Sequence, residues 1–453
     1  MSSLFARHAC LPQGWVSNVR LHWNARGELI QVEQHAQPGA HEKQETFVLP
    51  GMTNLHSHAF QRALAGMTEM AGESKDSFWT WRELMYRYAL HITPEQIQAI
   101  AAQLYSECLR HGYTSVCEFH YLHRDINGRF YARPAEMAER VIAAASQTGM
   151  GISMLPVLYS YADFGEQALR YDQRRFSTGV DEIMQLIDAL EAARNDQVEI
   201  GVAPHSLRAA SMAQIREVQA ALPAGRPIHI HIAEQQKEVD ACIAFSGRRP
   251  VELLLDSGLV DQRWCLVHAT HLNKAEVQGV AASGAVAGIC TTTEGNLGDG
   301  FFDLPDYIAA GGRFGVGSDS HVSQSPVEEL RWLEYGQRLR LQGRNIASVA
   351  GQRKVGDFLW HAALQGGAQA SGRKLGQLAV GYRADMLVLD DQHPNLAGMR
   401  SEDVLNTWIF AGNDNLVRDV YVGGSQVVQD GKHLQQPAIQ AAYGACMRAL
   451  RAL

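Results

Sequence analysis

A chain of 453 residues, 46% hydrophobic and 19% charged, is long enough to bury one large core and to carry a smaller second unit. Its formal net charge of −8 and its pI near 6.2 come without a concentrated basic run, which argues against a nucleic-acid-binding surface. We therefore expect a small-molecule partner and no nucleic acid.

The beginning of the sequence carries no obvious targeting signal. The stretch MSSLFARHACLPQGW lacks the cationic flank and apolar core of a signal peptide, and no window reaches the roughly 18 apolar residues that a membrane span requires. We predict a cytoplasmic protein without membrane partners. The seven cysteines are scattered without a Cys-x2-Cys pair, so we predict reduced thiols in the core.

The two ends of the chain share a pattern typical of short antiparallel strands. Near the start stand GWVSNVRLHWN and ELIQVEQH, and near the end stand GYRADMLVLDD and VRDVYVGGSQVVQDGKH, all broken by turn residues. Because single hairpins are marginally stable, we predict that both ends form one small β-sandwich domain. It would comprise residues 1–48 and 380–453 and include a C-terminal helix.

Between these ends, eight short apolar runs alternate with helical patterns. In order they are TFVLPGMTNLHSH, TSVCEFHY, GISMLPVL, VEIGVAPHS, PIHIHIAE, WCLVHATH, AVAGICTTT and RFGVGSDSH. Parallel strands that are covered by helices have this composition, so we predict an α/β fold in which residues 49–379 form a (β/α)8 barrel of the TIM type. An open doubly wound sheet is the alternative, but no Gly-rich dinucleotide turn follows the first run.

The segment 66–90, after the first run, is too long for a minimal strand-to-helix loop. We predict that it builds a lid or a wall of the pocket.

Polar side chains end several of these runs, where the functional groups of such a barrel gather. Taken alone, the pair His56-x-His58 fits two partly exposed loop histidines better than a metal site, although alternation along a strand lets both bind one ion. Further polar residues at the other run ends favour a metal site, because burying unpaired polar groups costs about 1–3 kcal/mol each. These further residues are His205, His231, Glu234, His268 and Asp319.

The order of these residues resembles that of the amidohydrolase superfamily, and so does a split β domain around the barrel. The fourth run contains no lysine that could bridge two metals, and the step HIAE resembles the mononuclear deaminase branch. The resemblance therefore implies one divalent ion, zinc in first place and Fe(II) as the alternative. The implied ligands are His56, His58, His231 and Asp319.

Three residues are expected to serve the chemistry of such a site. Asp319 would take a proton from the attacking water, and His268 would orient or polarise the reacting oxygen. By the resemblance, Glu234 protonates the departing nitrogen; the alternative is a first-turn carboxylate that is stabilised by the helix dipole. We interpret His229 as a hydrogen-bonded core histidine and His321 as a loop residue.

The residues near the run ends also bear on the substrate. Purine and cytosine deaminases need a flat pocket, whereas an acyclic substrate with carboxylates needs cations and hydroxyls, which Arg82, Tyr121 and Arg208 can supply. Each alone has an ordinary alternative: Arg82 fits a solvated helix face, and Tyr121 fits strand-end packing.

Four stretches closely resemble the bacterial formimidoylglutamate deiminase group of histidine degradation: LPGMTNLHSHAFQRALAGMTE, FHYLH, APHSLRA and HIHIAEQ. This resemblance implies hydrolysis of the dicarboxylate N-formimino-L-glutamate to N-formyl-L-glutamate and ammonia. Arg62 or Arg87 could replace either implied arginine. The residues implied to contact the substrate are Gln61, Arg82, Tyr121, His205 and Arg208.

Two other functions remain open at the level of sequence. A different mononuclear deaminase, acting on guanine, an adenosine-type nucleoside or an s-triazine, would share the metal residues. A non-catalytic barrel scaffold would commonly lose metal ligands, and none is missing here. The resemblance also allows a homodimer, although no stripe of residues indicates one.

Overall fold

The structure is a computed structural model that describes residues 2–69 and 78–452. In chain order its strands are β1 (Ser2–Leu11), β2 (Gly14–Trp23), β3 (Leu29–Glu33), β4 (Gln44–Pro50), β5 (Met52–Ser57), β6 (Tyr113–His120), β7 (Gly151–Leu158), β8 (Val198–Ile200), β9 (Ala203–Pro204), β10 (Ile228–Ile232), β11 (Trp264–His268), β12 (Val286–Ile289), β13 (Arg313–Val316), β14 (Met386–Leu389), β15 (Val417–Val422), β16 (Ser425–Gln429) and β17 (Lys432–His433).

The helices cover the barrel and connect its strands. They are α1 (Phe78–Ala89), α2 (Pro94–His111), α3 (Glu136–Thr148), α4 (Val180–Leu190), α5 (Met212–Ala221), α6 (Gln236–Ser246), α7 (Pro250–Asp256), α8 (Lys274–Ser283), α9 (Thr291–Leu297), α10 (Leu304–Ala309), α11 (Pro326–Leu341), α12 (Val355–Ser371), α13 (Val404–Phe410) and α14 (Gln436–Leu450). One short 3-10 turn, Ala59–Leu64, follows β5, and another, Tyr171–Gln173, precedes α4.

Both ends of the chain build one eight-stranded sheet in the order β17-β16-β15-β14-β4-β1-β2-β3. Strand β4 pairs in parallel with β1 and antiparallel with β14, so it joins the two ends. Leu4, Leu21, Val48 and Met386 share one hydrophobic cluster. The prediction of a β unit made from both ends is confirmed, whereas the division at residues 48 and 380 stays a prediction.

Each of the eight predicted runs contains at least one strand of the barrel. These strands pair in parallel within two groups, β5 to β9 and β10 to β13. Parallel bridges Val202↔Ile228 and Ser57↔Asp319 join the two groups on both sides. The barrel is therefore closed, which excludes the open doubly wound sheet and confirms the predicted fold class.

The first predicted run divides between the two parts of the fold. Its first half is β4 of the terminal sheet, and its second half is β5 of the barrel. Gly51 stands between them, directly against the Thr114 side chain, where a Cβ atom has no room. The glycine therefore lets the chain pass from the sheet into the barrel by the shortest route.

Two smaller predictions, on His229 and on the cysteines, are also borne out. The ring of His229 is fully buried, and its Nε2–H donates to the Ala370 carbonyl at 2.8 Å, as expected of a core histidine. All seven cysteines are free and buried. In the described part of the chain, no helix has the length and apolar character needed to cross a membrane.

Candidate metal centre and active site

Three imidazole rings meet at the C-terminal mouth of the barrel. The Nε2 atoms of His56 and His58 lie 3.1 Å apart, and the Nε2 atom of His231 lies 3.0 Å from the first and 3.3 Å from the second. His56 and His58 come from β5, where alternation places both on the same side, and His231 comes from β10 on the opposite half of the barrel. Barrel closure therefore brings the three together.

The electrostatics of this triad suit a metal cation. The Nδ1–H of His58 donates to the Phe119 carbonyl at 2.8 Å, so its Nε2 carries a lone pair that faces the other two rings. Burial lowers the pKa of all three histidines, to about 3 for His56, which keeps the rings neutral. Three neutral imidazoles whose Nε2 atoms converge in this way can direct their lone pairs at one cation, so the donor set fits a divalent ion.

Asp319 adds an oxygen to the triad. Its Oδ1 lies 3.3 Å from the Nε2 of His56 and 3.4 Å from that of His58. Gly317 makes this approach possible, because a Cβ atom there would lie 2.7 Å from the His56 backbone nitrogen. Burial alone would raise the pKa of Asp319, but its bond to His56 and the nearby histidines lower it well below the usual range, so the carboxylate is ionised.

The backbone turns sharply at the ends of the strands that carry these groups. Ala233, His268 and Asp319 have φ angles of 51°, 68° and 44°, in the left-handed region that non-glycine residues rarely adopt. Such conformations cost of the order of 1–3 kcal/mol each and cluster at functional sites. Here they aim Glu234, His268 and Asp319 towards the same cavity.

Glu234 and His268 lie beside the metal triad. The His268 Nε2 is 3.6 Å from Glu234 Oε1 and 3.7 Å from Asp319 Oδ2, and its Nδ1–H donates to Glu294 at 3.3 Å. Burial lowers the pKa of His268, but the three carboxylates outweigh it and raise the pKa to about 10. His268 is therefore a cation that is surrounded by carboxylates.

One cavity at the barrel mouth gathers the predicted residues. It is lined by His58, His231, Glu234, His268 and Asp319 and also by all five residues expected to contact the substrate: Gln61, Arg82, Tyr121, His205 and Arg208. His56 lies behind this surface and is fully buried. The residues predicted from seven separate stretches of chain thus surround one continuous pocket.

Several of the five residues expected to contact the substrate are held by specific contacts. Gln61 donates its Nε2–H to the Tyr121 hydroxyl at 2.8 Å, and the Tyr121 ring packs edge-on against His58. The ring of His205 lies 4.8 Å from that of His231. Among the alternative arginines, Arg62 is paired with Glu107 at 2.7 Å, and neither it nor Arg87 lines the cavity.

Comparison with known proteins agrees with this geometry. The sequence model of the amidohydrolase family matches residues 47–427, most of the chain. The chain belongs to the amidohydrolase family. Residues 1–46 match a second model, described as the N-terminal domain of formimidoylglutamate deiminase HutF. The family predicted from the residues at the run ends is confirmed, and with it the class of metal-dependent hydrolases.

Individual members of the family are similar over almost the whole chain. Formimidoylglutamate deiminase of Pseudomonas aeruginosa is 55% identical over 437 residues, 96% of each chain. An amidohydrolase from Brucella melitensis superposes with a TM-score of 0.95 at 44% identity and covers 100% of both chains. An adenosine deaminase from Xanthomonas campestris with bound zinc has a TM-score of 0.80 at 19% identity, covering 100% of this chain and 98% of its own, a likeness of fold alone.

Six further residues line the cavity and were not predicted individually from the sequence: Trp81, Met85, Tyr86, Tyr159, Phe176 and Leu297. Tyr159 directly follows β7, so the rule that strand ends carry function could have found it. The other five lie on helices or loops that tertiary packing brings to the mouth. Helix α1 forms one wall, as predicted for the segment 66–90, of which residues 70–77 lie outside the described residues.

A carboxylate inside strand β6 supports the two histidines of β5. Glu118 Oε2 accepts the hydroxyl hydrogens of Ser57 at 2.6 Å and Tyr105 at 3.0 Å, and its Oε1 accepts the Ala59 N–H at 2.6 Å. Ser57 stands between His56 and His58, and Ala59 follows His58. Glu118 therefore fixes the backbone that presents both imidazoles.

Replacing Glu118 with glutamine should weaken metal binding about 10–100-fold, because a carboxamide NH2 would oppose one of the three donors and loosen the β5 turn. Competition with a chelator measures this change. Glu45→Gln is the matched control, since Glu45 is also buried but pairs with Arg418 in the terminal sheet. If both variants bind metal equally well, Glu118 does not support the site.

Proposed function

We propose that this chain hydrolyses N-formimino-L-glutamate to N-formyl-L-glutamate and ammonia, a step of histidine degradation. The observation that carries the proposal is a single cavity that combines metal-ligating histidines and a buried glutamate with two arginines, Arg82 and Arg208. The relative that is 55% identical and the family model that matches residues 1–46 carry the name of the same deiminase and support this reaction.

The chemistry of the substrate complements these side chains. The formimino group is an amidine and carries a positive charge at neutral pH, so it can pair with Glu234. Guanidinium groups bind carboxylates bidentately, so two arginines fit the two carboxylates of a glutamate derivative. A nucleobase has no carboxylates, so it would bring no anion to Arg208, which lines the cavity.

We propose that His56, His58, His231 and Asp319 hold one divalent ion, with zinc preferred because three nitrogens and one oxygen suit it. Fe(II) accepts the same donors. When bound, the ion acts as a Lewis acid and lowers the pKa of water towards 7.

The protein's own groups move the protons. The Asp319 Oδ2 atom, which faces His268 at 3.7 Å, accepts a proton from the attacking water. Glu234, as the carboxylate that pairs with the amidine, then takes the second proton of the attacking oxygen and passes it to the departing nitrogen. The C=O bond of the formyl group forms, the C–N bond breaks, ammonia leaves, and the proton on Asp319 is lost to solvent. Burial raises the pKa of Glu234 to about 7, with help from the charges of Asp319 and Glu238, so the group can both hold and release a proton near neutral pH. His268 orients the attacking oxygen through its Nε2–H, whose nitrogen lies 3.6 Å from Glu234 Oε1 and 3.7 Å from Asp319 Oδ2.

Ammonia release by the metal-loaded protein with N-formimino-L-glutamate, measured beside guanine, cytosine and adenosine, tests the reaction. Turnover of the first compound alone is expected. Deamination of a nucleobase, with the glutamate derivative inert, would leave the metal assignment standing and overturn the assigned substrate.

Replacing Arg208 with methionine should raise KM for N-formimino-L-glutamate about 10–100-fold, because a charge-assisted hydrogen bond contributes about 1.5–3 kcal/mol. The effect on kcat should be smaller, since the carboxylate is bound equally before and during the reaction. Arg216→Met, on the exposed side of α5, is the matched control and should change neither constant. An unchanged KM in Arg208→Met would place the carboxylate elsewhere.

A further inference from the structure

Two tyrosines that line the cavity hydrogen-bond to the same side chain, and the proposed function gives neither tyrosine a role. Tyr86 lies on α1 and Tyr159 directly follows β7, and both are at least 96% buried. The side-chain amide of Gln173 donates to the Tyr159 hydroxyl at 2.9 Å and to the Tyr86 hydroxyl at 3.3 Å. Both hydroxyl oxygens therefore receive a hydrogen from the same amide.

The orientation of that amide is fixed. The Oε1 atom of Gln173 accepts the backbone N–H of Arg170 at 2.9 Å, so the NH2 group must be the end that faces the tyrosines. Gln173 is fully buried, which shields these bonds from bulk solvent. Arg170 in turn binds both carboxylate oxygens of Glu83 on α1, which ties this turn to the helix that carries Tyr86.

The hydrogens of this group can be counted. Gln173 donates one hydrogen to each hydroxyl oxygen, and each tyrosine keeps its own O–H hydrogen. The Gln173 NH2 group cannot accept these two hydrogens, and at most one of them can be shared between the two hydroxyls. At least one O–H hydrogen is therefore available to a group in the cavity, which both tyrosines line.

The surroundings indicate which kind of group this is. The guanidinium of Arg82 lies 5.5 Å from the centre of the Tyr86 ring, and the charges of Arg82 and Arg208 both act on Tyr159. In a cavity that two guanidinium groups also line, the ligand group that a hydroxyl donor faces most favourably is an anion. Burial also raises the pKa of Tyr159 well above its usual value, so the hydroxyl keeps its hydrogen.

We infer that the Tyr86–Tyr159 pair, oriented by Gln173, donates a hydrogen bond to one of the two substrate carboxylates that Arg82 and Arg208 hold, and that it contributes to selection of dicarboxylates. The tyrosines contact the substrate, whereas Gln173 is a positioning residue that acts through them. This inference rests on the proposed function and specifies how the carboxylate end of the substrate is recognised.

The test compares Tyr86→Phe, Tyr159→Phe and the double variant in the metal-loaded enzyme. Each single change should raise KM for N-formimino-L-glutamate about tenfold, with kcat nearly unchanged. Because the same Gln173 amide orients both hydroxyls, the two changes are not independent, and the double variant should raise KM by less than the product of the two single increases. Tyr171→Phe is the matched control, since Tyr171 is two residues from Gln173 but 78% exposed.

Gln173→Met tests the positioning role. It should raise KM in the wild-type background and add no further increase in the double tyrosine variant. An equal increase in both backgrounds would assign Gln173 a structural role only, and this part of the inference would fail. Thermal unfolding of each variant shows whether the fold is retained.

Two substrate analogues separate recognition of a carboxylate from general damage. The first is 4-formamidinobutyrate, which lacks the α-carboxylate, and the second is N-formimino-L-norvaline, which lacks the side-chain carboxylate. Relative to the wild type, the tyrosine variants should show an increased KM or inhibition constant with one analogue and no increase with the other. An equal penalty on all three compounds, or none on any, would overturn the inference. Failure of the wild type to act on N-formimino-L-glutamate would instead overturn the proposed function.

Discussion

Replacing His231 with alanine is expected to abolish metal binding and turnover together. The Nε2 of His231 lies 3.0 and 3.3 Å from the Nε2 atoms of His56 and His58, so its loss leaves two nitrogens and one carboxylate on one side of the site. Losing one of four ligands should cost at least about a hundredfold in metal affinity. Ammonia release should fall about a thousandfold or more, because the chemistry depends on the bound ion. Elemental analysis after dialysis and an ammonia assay measure the two effects.

A matched control lies two residues earlier on the same strand. His229 is also fully buried, but it donates to the Ala370 carbonyl and lies outside the ligand groups. His229→Asn should lose stability yet keep one equivalent of metal. One equivalent retained in His231→Ala would reject the ligand assignment, even if activity were lost.

Replacing Glu234 with glutamine should lower turnover about 10²–10⁴-fold while leaving one equivalent of metal bound. Glutamine has nearly the same shape but neither pairs with a cationic amidine nor supplies a proton to the leaving nitrogen. The combination of an intact metal content with lost turnover separates this residue from the ligands. Steady-state ammonia release and elemental analysis on the same preparation give both values.

The neighbouring carboxylate provides the comparison. Glu238 is equally buried, and it accepts the Glu234 backbone N–H at 3.2 Å through an oxygen that glutamine retains. Glu238→Gln should therefore change turnover less than tenfold. If Glu234→Gln kept turnover within the same limit, another group would have to be the proton donor.

The barrel was predictable because its strands are buried on both faces. Such strands are nearly continuous apolar runs, so the polar residues that end them, such as His231 and Asp319, stand out from their surroundings. Alternation along β5 likewise predicts that His56 and His58 lie on the same side of the strand. The metal residues could therefore be located from local sequence, although their meeting depends on closure of the barrel.

Other parts of the site depend on packing that no local pattern encodes. The length of segment 66–90 predicted a pocket wall but not that Tyr86 would reach the cavity, and the loop that carries Phe176 contains no distinguishing signal. Hydrophobicity is continuous across Gly51, so the division between terminal sheet and barrel is invisible in composition. Glu118 could have been noticed in the sequence, because it is the only carboxylate in the apolar run TSVCEFHY. His321 lies in a loop, as predicted, but is fully buried against the Ser57 and Ser318 hydroxyls.

The terminal sheet determines the order in which a newly synthesised chain can fold. Leu49 of β4 pairs with Leu387 of β14, so one edge of the first four strands has no partner until nearly the whole chain has left the ribosome. Unpaired edges promote association with other chains, and pairing between such distant segments forms late. A chain that ended before β14 would keep every predicted metal ligand and still expose this edge. Premature termination is therefore expected to yield aggregates rather than a partly active enzyme.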